Sequence, residues 1–181
     1  MSDERLSPAE ILIASWGVIG VLALVGQALY RLTPLALVPL QQDMLNGWLL
    51  ALYIFWAVFN GYAEGYRGFQ RAFSPRVVAR AFYLARNPKP THVILAPLFC
   101  MAMFHASRKR LYVAWGLFIG IVIVIIIIRQ LAQPWRGIVD VGVVVGLAWG
   151  ALSIIVLFLR ALITNEVPPD DSLPDHASQH S

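Results

Sequence analysis

The chain has 181 residues, 59% hydrophobic and 13% charged, with a net charge of +4 and a mean hydropathy of +0.68. A soluble domain carries roughly twice that charged fraction, about 25%, so the composition excludes an ordinary soluble globule and points to one compact membrane domain. The positive balance then reads as membrane orientation rather than nucleic-acid binding, and the single cysteine, Cys100, excludes an intramolecular disulfide.

The opening residues, MSDERLSPAE, lack the basic start and small-residue cleavage site of a signal peptide, so the first apolar run is expected to be retained. Ser7, Pro8 and Glu10 predict a helix start with a capping box. Residues 11–30 are an apolar run of 20, enough to cross a core of about 30 Å. Pro34 and Pro39 predict that residues 32–45 form a loop against the interface. The second predicted span is 47–63, with Trp48 suited to an aromatic belt.

Residues 59–81 carry three stripes that step by four, three and four residues. Asn60, Glu64, Arg67 and Arg71 are polar; Gly61, Gly65, Gly68 and Ala72 are small; Tyr62, Tyr66, Phe69 and Phe73 are aromatic. An α-helix puts each set on one face. The second helix is therefore expected to continue past residue 63 and project roughly two turns into the cytoplasm. Ser74-Pro75 predicts a new helix start, and residues 76–86 a basic amphipathic helix lying on anionic headgroups.

Residues 92–106 form a 15-residue apolar segment interrupted by Pro97, about 22 Å as a helix, which suits a re-entrant or interfacial segment better than a span. Spans are predicted at 111–128 and 141–159, and a disordered acidic tail at 164–181. If 92–106 crossed, the basic residues would split nine against five. If it stays on one side they split eleven against three, with only Arg31, Arg129 and Arg136 outside. The positive-inside rule favours the second arrangement. The expected fold is an all-α integral membrane domain over residues 1–163, with four transmembrane helices, a short re-entrant or interfacial segment and a basic surface helix. Both termini are expected to be cytoplasmic. Twelve arginines against two lysines, and no Asn-x-Ser/Thr site, point to a bacterial inner membrane.

Several groups could carry chemistry. The candidate polar site is Asn60, Glu64, Arg67 and Arg71, since ionisable groups within membranes are costly and often functional. The plainer expectation is that Glu64 pairs with Arg67 one turn on and finishes the helix. Arg76, Arg80, Arg86, Arg108, Lys109 and Arg110 are expected to contact anionic lipid headgroups. Gly61 and Gly65, Gly116 and Gly120, and Gly142, Gly146 and Gly150 followed by Ser153 have the spacing that lets helix backbones pack closely. Arg136 and Asp140 are expected to form a local ion pair; an ion or proton entry site is the sharper alternative. His92, Cys100, Met101, Met103 and His105 offer soft-metal or haem donors, but His92 and His105 fall on different sides of a helix, so neither metal nor cofactor is expected. No catalytic motif is present.

The leading functional expectation is a non-enzymatic accessory, scaffold or assembly subunit of a membrane complex, with lipids and other membrane subunits or further copies of itself as partners. Two alternatives stay open: a small oligomeric transporter or channel lined by the Asn60–Glu64–Arg67 stripe, and a membrane enzyme or binder that holds an anionic lipid on Arg67, Arg71, Arg76 and Arg80 with Glu64 as a base.

Overall fold

A computed structural model describes residues 6–104 and 108–169. Every element in it is helical, and three helices are long and apolar enough to cross a membrane: Pro8–Gln41, Leu111–Ile128 and Trp135–Thr164. Helix α1 (Pro8–Gln41) begins at the capping box: the Ser7 amide donates to Glu10 Oε2 at 2.7 Å and the Glu10 amide to Ser7 Oγ at 3.4 Å.

The loop expected at 32–45 is instead the last part of α1, with Pro34 and Pro39 inside the helix. Proline at position 39 removes the amide that would bond the Leu35 carbonyl. Gln133 Nε2, from the connection before the last helix, donates to that carbonyl at 3.3 Å. A neighbouring element thus satisfies the acceptor that proline leaves open, which is how membrane helices tolerate the residue.

From Gly47 to Arg86 the backbone stays helical throughout, in three pieces: α2 (Gly47–Asn60), a π-helix (Gly61–Phe73) and α3 (Ser74–Arg86). Asn46 caps the start by accepting from the Leu49 amide at 3.1 Å. Ser74 does not cap α3 as expected. Its φ of −62° and ψ of −43° are helical, and its hydroxyl turns toward the Gly150 carbonyl at 3.5 Å.

Two five-residue helices, α4 (Pro90–Ile94) and α5 (Ala96–Cys100), follow, and neither is long enough to cross a bilayer. They lie on the N-terminal half of α1. A Cβ at Gly17 would meet Cys100 Sγ at 2.9 Å, a Cβ at Gly20 would collide with the Pro97 ring, and Trp16 Nε1 donates to the Val93 carbonyl at 3.1 Å. Helix α6 (Arg108–Ile128) and helix α7 (Trp135–Thr164) complete the chain. Asn165, with φ 57°, closes α7 in the left-handed conformation that asparagine tolerates.

The contacts fix the helix directions. Pro39, late in α1, sits on Gly137 at the start of α7, so α1 and α7 run antiparallel. Trp48 meets Trp135 at 5.9 Å with the rings tilted, and Phe82 meets Phe158 edge-on at 6.0 Å, so residues 47–86 climb alongside α7 and parallel to it. The core where α1 meets α3 is Ala14, Val18 and Val21 against Val77, Ala81 and Ala85. Helix α3 is therefore not a surface helix. Valine, alanine and phenylalanine side chains bury it between α1, α7 and α5.

Helix α6 differs from the rest. Its apolar residues from Leu117 to Ile127 are all exposed, and Gly116 and Gly120 meet no other element. The packing expected of those two glycines does not occur within the chain. Its start is tied to the α5 end through Trp115 Nε1, which donates to the Met103 carbonyl at 3.2 Å, and its far end leads to the Gln133 contact with α1.

Candidate functional site

The π-helix and the glycine ridge of α7 form the site. A π-helix closes its hydrogen bonds i→i+5, so seven residues fall short of two turns by roughly 150°, whereas in an α-helix seven residues nearly complete them. Each sequence stripe therefore splits at its three-residue step. Gly61 and Gly65 are buried; Gly68 and Ala72 are exposed. Tyr62 stacks on Tyr66 at 5.8 Å and Phe69 meets Phe73 at 5.4 Å, while the two pairs separate from one another. Asn60 and Glu64 meet Gly142 and Gly146 of α7, whereas Arg67 and Arg71 meet no glycine of that ridge; Glu64, Arg67 and Arg71 are all exposed.

The seam then repeats at four or five residues on one side and four on the other. A Cβ at Gly142 would lie 2.6 Å from Asn60 Nδ2 and 2.8 Å from the Trp56 ring. One at Gly146 would lie 3.2 Å from both Cβ and Oε2 of Glu64, and one at Gly65 would lie 2.9 Å from Trp149. At Gly150 it would strike the Phe69 ring. Only glycine on α7 admits these side chains so close to its backbone. Trp149 Nε1 donates to Gln70 Oε1 at 2.7 Å and closes the seam at its α3 end.

The partners within the site overturn the expected pairing. Glu64 forms neither a hydrogen bond nor an ion pair among the described residues, and in the π-helix the three-residue step that an α-helix would close between Glu64 and Arg67 falls short of a full turn. The Arg71 guanidinium lies 5.0 Å over the Tyr66 ring instead. Asn60 is 6% exposed and its amide donates to the Trp56 carbonyl at 2.9 Å.

The basic residues divide. Arg86 is exposed, and Arg76 is partly covered with its Nε donating to the Ala72 carbonyl at 2.7 Å. Arg80, expected at the headgroups, is 0% exposed. Its Nε donates to the Phe99 carbonyl at 2.6 Å, its terminal nitrogen to the Phe104 carbonyl at 3.1 Å, and its guanidinium lies 4.3 Å over the Phe99 ring. His92 stacks on the same ring at 5.3 Å. Arg108, Lys109 and Arg110 open α6, and their side chains lie outside the described residues, as does His105.

His92 and Cys100 do not converge: the imidazole faces Phe99 and Phe104, and the thiol faces Gly17. Burial pushes the Cys100 thiol up to about 12, against the opposing pull of the Arg80 charge. Arg136 Nε and Asp140 Oδ2 form the expected ion pair at 3.6 Å, with Asp140 only 2% exposed.

Arg80 as an internal clamp and Gln133 as the partner of a proline-freed carbonyl were not singled out from the sequence. A signal existed for Gln133, since Pro39 within a helix demands an outside donor. None existed for Arg80, whose acceptors are main-chain atoms. No protein-family model matches the chain, and no curated protein or solved structure shows significant similarity to it.

Proposed function

We propose that the chain is a non-enzymatic, multi-pass subunit that assembles with other membrane proteins, in a bacterial inner membrane with both termini in the cytoplasm. In this reading α1, the composite of α2 and the π-helix, α6 and α7 each cross once, and α4–α5 stay on the cytoplasmic side. The antiparallel α1–α7 pair and the parallel course of residues 47–86 along α7 support that count. With Arg67 and Arg71 counted within the crossing segment, the remaining basic residues split nine to three, which supports the orientation.

The observation that carries the assembly role is α6. A membrane-length helix, apolar on every side, stands against none of its own chain and is held at its ends. Its glycines Gly116 and Gly120 leave a close-approach face open. A photo-crosslinking residue placed at Gly120 or Ile123 in native membranes tests this. Assembly requires a discrete protein adduct of fixed stoichiometry that survives mild detergent. Crosslinks to lipid alone, with a clean monomer, contradict it.

The unpaired Glu64 favours one second reading, transport by an oligomer. That reading requires wild-type flux in liposomes that Glu64→Gln abolishes; equal flux in both, or none in the wild type, excludes it.

A further inference from the structure

We propose that Glu64 is an intramembrane proton-binding site: its carboxyl rests protonated against the glycine ridge of α7. The inference rests on the four-crossing reading above, which places the middle of α7, and so Glu64, within the bilayer. Three observations carry it.

The first is depth along the bundle. Glu64 meets Gly146, eleven residues into a 30-residue helix and eighteen from its end, so it lies away from both ends of α7.

The second is the absence of a counter-charge. It meets Gly146 of α7, and the neighbouring seam residues Gly142, Val145 and Trp149 offer no ionisable group. From α2 comes Asn60, which is uncharged and donates one N–H to the Trp56 carbonyl. From α3, Ser74 turns to the Gly150 carbonyl. On its own helix Arg67 is exposed and forms no ion pair with Glu64 among the described residues, and Arg71 lies over Tyr66. Asp140 and Arg136, the nearest charges along α7, pair with each other.

The third is exposure. Glu64 is not sealed in the seam but open along its flank, so a reagent dissolved in the bilayer can reach it. An unpaired carboxylate in hydrocarbon is unfavourable, and a group there neutralises instead. The protonated acid keeps one O–H to donate, which makes the site a proton store and a hydrogen-bond donor within the membrane. The π-helix creates it, because an α-helical turn would have brought Arg67 beside it.

The test is carbodiimide labelling of the full chain in liposomes, read by peptide mass spectrometry. Carbodiimides add to protonated carboxyls, and the apolar dicyclohexyl reagent partitions into the bilayer. At pH 7 we expect Glu64 to be modified by the apolar reagent at least tenfold more than Glu10 or Glu166, and not by a water-soluble carbodiimide. Glu64→Gln should abolish that adduct. Labelling that appears only below about pH 5, as for an ordinary carboxyl, overturns the proposal. So does labelling in liposomes that vanishes in native membranes, since a cationic group on a partner then holds the carboxylate. A nitroxide at Tyr62→Cys, in a Cys100→Ala background, separates the two levels of failure. Oxygen-accessible and nickel-shielded with no Glu64 adduct sinks the proton site alone. Nickel-accessible sinks the four-crossing reading and the proton site together.

Discussion

Arg80 brings a full charge into the contact between α3 and α5, where it is 0% exposed. Two main-chain carbonyls and the face of Phe99 receive it. Carbonyl acceptors suit this role because they leave the charge intact and tie two points of one segment to a third helix. Arg80→Ala removes both bonds and leaves the Phe99 carbonyl only the Ala102 amide as donor, and we expect a loss of about 1–3 kcal/mol, seen as lowered thermal stability together with faster amide exchange across residues 90–104. Arg80→Lys keeps the charge but not the fork and should recover only part of that loss. Cys100 sits in the same cluster. With its thiol pushed up to about 12, maleimide labelling of the folded protein at pH 8 should be on the order of a thousandfold slower than after denaturation in detergent. Rapid labelling of the folded chain would show that the α1–α5 contact opens.

At the scale of elements, packing is set by where glycine lets two backbones meet. Gly142→Ala drives a methyl into Asn60 and Trp56 and should cost about 1–3 kcal/mol in thermal unfolding. Gly116→Ala in α6 meets open space and should stay within about 0.5 kcal/mol for the isolated chain. Gln133→Ala should cost about 1 kcal/mol, and less in a Pro39→Ala background, where the amide of residue 39 again bonds the Leu35 carbonyl. The capping box at Ser7 and Glu10 was legible because it depends on four consecutive residues. The stripes of residues 60–73 were legible as sets of like residues, but their placement was not. An α-turn and a π-turn differ in which carbonyl an amide reaches, and side-chain chemistry does not encode that directly. The same limit hid the end of α1: Pro34 and Pro39 read as breakers until a distant glutamine supplies the missing donor. Helix α3 read as amphipathic from its arginines, yet Arg80 finds its partners inside the fold.

At the scale of the molecule, a continuous helical path from Gly47 to Arg86 runs the length of the bundle beside α7. The sequence expectation had residues 76–86 lie down on the membrane surface. Instead the π-helix seats on the glycine ridge midway along α7, and α3 carries the path on between α1 and α7. Everything argued for Glu64 follows from this seat and its register. The register also separates two residues that differ by one position. With a π-helix, Phe69 faces Gly150; with an α-helix continued from Asn60, Gly68 would take that place. Oxidative crosslinking of cysteine pairs in a Cys100→Ala background therefore tests the account most directly. Phe69→Cys with Gly150→Cys should form a disulfide in membranes, and Gly68→Cys with Gly150→Cys should not. The reverse result, or no crosslink from either pair, would contradict it.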